Sequence, residues 1–413
     1  MAVENVEDFR RRASQWLSAN MPRRENTTKR SNLSNFLDEK TRFDRHRVLQ
    51  RLLFDGGFAG ICFPREYGGQ GLTPAHQAAF TEEAVGYEMP YAFNVPTLGI
   101  LAATILDCGT EAQKQRHLPA ILKGEEYWIQ FLSEPSGGSD VAGARTSAVR
   151  DGEEWVINGS KIWSTRAWQC DYALLLARTN WNVPKHRGLS VLIVKIHQPG
   201  IEVRQIEMLN GSREFCEEFF TDLRIPHENL VGEVDEGWSV ATRWMFHERN
   251  AVGGASPYVS GMGGDGVHGP NDDLLNLART TTQLGSASVQ DKVAGAHVLG
   301  VVQDQLICRV TRAIETGRLP ESAAAVLRLF RGVSGVRTAT IGLEIAGVNA
   351  VAWPESEEGT GLFGIEYLMR QARSIGGGSV EMARNVISER LLGMPREASP
   401  DVGRPFAEVR SGR

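Results

Sequence analysis

A chain of 413 residues, 41% of them hydrophobic, can bury a large core, and its length suits two or three packed units better than one. Its 45 Lys and Arg are spread along the chain, and a net charge of -5 with a pI near 6.1 leaves no basic footprint for nucleic acid. No apolar run approaches membrane-spanning length, the N-terminus lacks a signal-type apolar stretch, and the five cysteines form no C-x-x-C pair. The expectation is a cytosolic protein with no metal site and no disulfide framework, its thiols serving as packing groups.

The first stretch reads helical. Val48, Leu49, Leu52 and Leu53 repeat on one face of "TRFDRHRVLQRLLFDGG", and Gly56 with Gly57 supplies a stop. The same texture continues through "TPAHQAAFTEEAVGYEM" and "GILAATILDCGTEAQKQRHLPAIL". From about residue 126 it changes: "EEWVINGSKIW" reads as two short β runs joined by Asn158-Gly159, the strongest short hairpin signal. "YALLLAR", "LSVLIVKI", "IEVRQIEML" and "EEFFTDLRIP" follow, each bounded by turn residues, which predicts an antiparallel sheet. Beyond Gly237 the helical period returns and holds to "SVEMARNVISERLLG". The predicted fold class is therefore α+β, with a helical unit over 1–125, a β unit over 126–236 and a helical unit over 237–413. The stretch 253–273 carries seven glycines and two prolines and reads as a mobile or ligand-facing loop; the tail after Pro395 reads as frayed.

Three motifs in order, "SEPSGGSDVAG" (133–143), "WVINGSKIWSTRA" and "ARNVISERLLGMPRE", resemble the acyl-CoA dehydrogenase family. The resemblance runs from "FAGICFPREYGGQGL" to Glu397. It implies a flavoenzyme that holds FAD between a β domain and C-terminal helices, removes hydrogens from the α and β carbons of an acyl-CoA thioester, and passes the electrons to an electron-transfer flavoprotein. Such chemistry needs a carboxylate base, a flavin and hydrogen-bond donors on the thioester oxygen. It would place the chain in lipid metabolism, fatty acid beta-oxidation included.

By the same resemblance Gln130, Leu132 and Ser133 lie at the flavin edge and Ser139 near the flavin and the CoA chain. Trp163 packs on the flavin, with Ser164 beside it and Thr165 near the reactive nitrogen. Ser379 and Glu381, at the start of the closing helix, join the cofactor contacts. Straight-chain members carry their catalytic Glu in a Y-E-G-T motif, but the matching residues here are Gly376, Gly377, Gly378 and Ser379. A smaller group, resembling isovaleryl-CoA and long-chain dehydrogenases, carries the base on the first long helix after the β domain. There the match in "RWMFHERNAVGG" is Glu248, flanked by Phe246 and Arg249 as substrate contacts. The backbone N–H of Gly377 would still face the thioester carbonyl. The plain alternative is a helix carboxylate paired with Arg249 or His247.

Several positions depart from the family pattern together. The residues that reach a neighbouring subunit's FAD are Thr281, Leu284, Gly285 and then Asp291-Lys292 here, and the Q-x-x-G-G segment appears as Glu344 through Gly347-Val348. A carboxylate near an FAD diphosphate is unfavourable, and Arg279 is the residue expected to compensate. The resemblance implies a homotetramer or dimer, with a two-chain heteromer as the alternative. An FAD-poor partner subunit and a relative oxidising another substrate complete the readings.

Overall fold

The computed structural model describes residues 4–23, 39–90, 94–254, 256–259, 272–352, 361–399 and 401–409. Helices Val6–Asn20, Glu39–Asp55 and Pro74–Glu83 form the N-terminal unit, with a wide-turned helical segment Asn94–Ala102 running into Ala103–Cys108 and then Glu111–Leu122. Leu49 and Leu53 are buried as their spacing predicts, whereas Val48 is 51% exposed and belongs to the outer face. Gly56 closes the second helix because any Cβ there would overlap the Trp16 indole.

Among the described residues eight strands make one sheet in the order β6-β7-β3-β2-β4-β5-β8, with β1 paired to β4. They are β1 Trp128–Phe131, β2 Ser147–Asp151, β3 Glu154–Thr165, β4 Tyr172–Arg178, β5 Leu189–Lys195, β6 Ile201–Ile206, β7 Phe215–Pro226 and β8 Leu230–Val231. The sheet is not wholly antiparallel, since β1 and β2 both meet β4 in parallel. Alternation along β4 and β5 separates two cores. Leu174, Leu176, Val191 and Ile193 face the helices with Trp128 and Trp244, while Ala173, Leu175, Leu192 and Val194 face Phe131 and Phe220 on the other side.

The Asn158-Gly159 pair does not make a hairpin. The turn falls earlier, at Gly152-Glu153 between paired Asp151 and Glu154, with Gly152 at φ 61°. Asn158-Gly159 lies inside β3 as a bulge opposite β7. Asn158 exchanges hydrogen bonds with Asp222, and a Cβ at position 159 would stand 2.7 Å from Thr146 Cα. Glycine thus permits close strand packing rather than a chain reversal.

The C-terminal unit comprises helices Gly237–Gly253, Asp272–Thr280, Ala287–Glu315, Ala324–Ala346, Gly361–Met369, Ala372–Ile375 and Val380–Val386. Most of the glycine-rich stretch 253–273 lies outside the described residues. The tail is not frayed throughout: Phe406 is buried, its N–H donates to the Val183 carbonyl at 2.8 Å, and the Arg178 guanidinium sits 3.9 Å from its ring centroid. The packing role expected for the thiols holds for buried Cys170 and Cys216, but Cys308 is exposed.

Candidate active site

Glu248 lies on helix Gly237–Gly253, which packs over β1. Its carboxylate Oε1 accepts a hydrogen bond from Gln130 Nε2 at 3.0 Å, and Gln130 Oε1 accepts one from Trp244 Nε1 at 2.9 Å. One turn of helix separates Trp244 from Glu248, so a single amide is clamped between two residues of the same helical face. Burial raises the Glu248 carboxyl above the usual carboxylate range, opposed by the Gln130 bond and the charges of Arg249 and Arg328. His247 does not pair with it. The imidazole is buried and meets Asp107 Oδ2 at 2.7 Å. Phe246, two residues from Glu248 and so on the far side of the helix, contacts the Arg243 guanidinium and the His247 ring. Arg249 is partly buried.

Of the three glycines, Gly377 approaches this helix directly. Gly377 and Gly378 adopt φ of 72° and 93°, and a Cβ on Gly377 would meet Val252 Cγ1 at 3.1 Å, one turn beyond Glu248. A left-handed backbone and a crowded Cβ position both select glycine there. Ser379 then caps the closing helix, its hydroxyl accepting from Met382 N at 3.2 Å, and Glu381 is exposed and pairs with Arg384.

β1 leads from Gln130, the partner of Glu248, to the motifs expected to hold flavin. Gln130 and Ser133 are three residues apart, at most ~11 Å of chain. The Ser133 carbonyl accepts from Ile162 N at 3.0 Å, beside Trp163. Leu132 is buried, and its carbonyl accepts from Lys161 Nζ at 3.1 Å. The "SEPSGGSD" turn is built around buried Glu134, which accepts from Arg145 N, Thr146 N and Lys161 Nζ and closes a bridge with Gly137. Ser139 is exposed on that turn.

Trp163 is the outlier of β3. It is 51% exposed at φ 68°, on a bulge opposite β7, with its ring edge-on to Phe215 at 5.9 Å. A bulky residue held in that region is strained and marks a constrained site. Ser164 next to it is buried, and Thr165 is partly buried. An open indole face, an adjacent threonine hydroxyl and a carboxyl tied to the same short stretch of β1 fit an isoalloxazine ring and an acyl group.

The residues expected to reach a neighbour's FAD are arranged differently. Lys292 Nζ pairs with Glu344 Oε2 at 2.9 Å, so two departures from the family pattern compensate one another. Arg279 does not move to Glu344 and instead bonds Asn276 on its own helix at 3.2 Å. Gly347, at φ 61°, ends helix Ala324–Ala346 and is exposed. Sequence reasoning missed Trp244 as the second clamp on Gln130, and it missed Arg328; an indole and an arginine at helical spacing carry no signal of which strand they face.

Comparison with known proteins agrees across the whole chain. Residues 7–125 match the family description "Acyl-CoA dehydrogenase, N-terminal domain", 130–223 the middle domain and 235–392 the C-terminal domain. The chain is 32% identical to acyl-CoA dehydrogenase IpdE1 of Mycobacterium tuberculosis over 402 residues, 96% of this chain and 100% of that protein. Among solved structures it resembles the Tcur3481-Tcur3483 steroid ACAD, with a TM-score of 0.75, 26% identity and 96% and 100% of the two chains covered. It also resembles the ChsE4-ChsE5 complex of Mycobacterium tuberculosis, with a TM-score of 0.72, 26% identity and the same coverage. The ordered motifs, the helix–sheet–helix architecture and the three matched domains together show that the chain belongs to the acyl-CoA dehydrogenase family of FAD-binding oxidoreductases.

Proposed function

We propose that this chain carries out α,β-dehydrogenation of an acyl-CoA thioester, with Glu248 as the base that takes the α-proton. The observation that carries the reading is the Gln130–Glu248 bond: an amide, not a cation, meets the carboxyl where burial raises its proton affinity. A base so held has its proton affinity raised by burial and takes up a proton without first breaking an ion pair. FAD, when bound, supplies the hydride acceptor. The chain's own contribution is to hold Glu248 at β1, to offer the Gly377 N–H to the thioester oxygen as charge develops there, and to present Trp163 and Thr165 to the flavin. Phe246 points away from Glu248, which favours a structural role for it over a substrate contact. Glu248→Gln should keep the flavin spectrum while flavin bleaching by acyl-CoA slows by ~10²–10⁴-fold or more. Unchanged bleaching would move the base elsewhere.

An electron-transfer flavoprotein is the proposed acceptor, and a homotetramer or dimer the proposed assembly. A two-chain assembly is the second reading. It is favoured by the Lys292–Glu344 pair on the arm expected to serve a neighbour's FAD, and by exposed Val298, Val301 and Val302 on helix Ala287–Glu315. Solved relatives that are complexes of two named chains support it as well. Mass and flavin content of the chain expressed alone separate the two: a yellow homo-oligomer supports the first, a colourless chain the second.

A further inference from the structure

Another buried carboxyl lies under the flavin-side strand and takes no part in the chemistry above. Glu218 on β7 is fully buried, directly opposite Lys161 in the β3–β7 register, and both side chains point into the sheet. Register would pair them, yet the Lys161 ammonium is directed at Glu134 at 2.8 Å and the Leu132 carbonyl at 3.1 Å. Glu134, also stabilised by two backbone N–H groups, is the carboxylate of that pair; burial alone would raise it, but Lys161 and those donors hold it below the usual range. Among the described residues the Ser164 hydroxyl, on Oε1, is the side-chain partner left to Glu218, and its Oε2 is buried without a hydrogen-bond donor. An ionised carboxylate in that setting is costly, whereas the acid is not.

The bond it makes lies at the bulge. Register slips between Ile162 and Ser164, and Trp163 turns outward at φ 68° while Ser164 turns inward to Glu218. We propose that Glu218 is a positioning residue: as a neutral carboxylic acid it anchors Ser164 and thereby fixes the bulge on which Trp163 meets the flavin. In the acid form the carboxyl proton can go to Ser164 Oγ, freeing the Ser164 proton for the Cys216 carbonyl at 3.5 Å. Proton loss leaves a buried anion facing the charges of Glu217 beside it on β7 and Lys161 on β3, and Lys161 in turn answers to Glu134 after β1 and Arg178 on β4. Lys161 favours the anion and Glu217 opposes it; burial is the larger effect and pushes the Glu218 carboxyl up to about 8.

The part of this inference that concerns flavin rests on the function proposed above; the proton on Glu218 does not. The test uses the full chain with and without FAD. In the apoprotein, the infrared difference between wild type and Glu218→Gln should contain the carbonyl stretch of a protonated carboxyl, lost with a midpoint near pH 8. Trp163 fluorescence, isolated by subtracting Trp163→Phe, should change with the same midpoint and be flat in Glu218→Gln. In the FAD-loaded chain the flavin absorption should shift over that range in wild type and not in Glu218→Gln. Ser164→Ala should keep the infrared titration but uncouple Trp163 and flavin from it, which also serves if the Gln variant does not fold. Absence of the carboxyl band at pH 7, or a Trp163 titration that survives in both variants, would overturn the proposal. A chain that titrates in the infrared while the absorption of its bound FAD does not follow would refute the link to flavin alone.

Discussion

The proposed base, Glu248, and Glu344, on the arm proposed to face a neighbour, handle charge in opposite ways. Glu248 meets a neutral amide, itself clamped by an indole N–H, whereas Glu344 meets the full charge of Lys292 at a half-exposed position. A counter-ion would hold a carboxyl ionised, while an amide leaves its proton affinity to be set by burial. The first arrangement suits proton transfer. The second cancels charge and leaves shape as the arm's contribution, because exposed ion pairs contribute little.

Gln130→Leu should break the contrast most severely short of removing the base. It strips Glu248 of a bond that lowers its proton affinity and leaves the Trp244 N–H without its acceptor, costing ~1–3 kcal/mol of stability. The carboxyl then rises further, so Glu248 stays protonated to higher pH and the acid limb of the kcat/KM profile moves to higher pH. Thermal unfolding and a pH–rate profile read both effects, and an unmoved limb would dissolve the distinction drawn here. Gly377→Ala comes next, at ~1–3 kcal/mol for a side chain forced to φ 72° against Val252. Flavin reduction should slow with the flavin spectrum unchanged; a normal rate would separate the glycine loop from the thioester. Lys292→Ala should be smallest in stability, below ~1 kcal/mol, but it uncovers Glu344 and should weaken flavin retention by the assembled protein. Lys292→Ala with Glu344→Gln should restore retention, and failure to do so would mean that the pair serves something other than charge cancellation.

Much of this was legible in the chain. Helical period placed Leu49 and Leu53 inside, and short apolar runs bounded by turn residues marked β4 and β5 as strands, which the structure buries on both faces. Glu248 as the base is a proposal that came from the family resemblance, while the question raised by the glycines at 376–378 meets a structural answer at Gly377, a left-handed backbone and a Cβ position crowded by Val252. Asn158-Gly159 misled because a pair that permits positive φ serves a bulge as readily as a turn, and only Thr146 and Asp222 across the sheet select between them. Arg279 misled for a similar reason: its nearest acceptor, Asn276, was local, while the cation that reaches Glu344 came from a different helix.

Sequence by itself determined the order of helices and strands, the family, and which residue types stand ready for acid–base chemistry, because period, propensity and motif spacing are properties of neighbouring residues. Tertiary structure decided which of those residues meet. Gln130 and Glu248 are 118 positions apart, and Ser164 and Glu218 are 54. Local pattern holds no record of such distances. Whether a buried carboxyl finds an amide, a hydroxyl or a cation depends on strand register and helix rotation, and that partner sets where its proton sits.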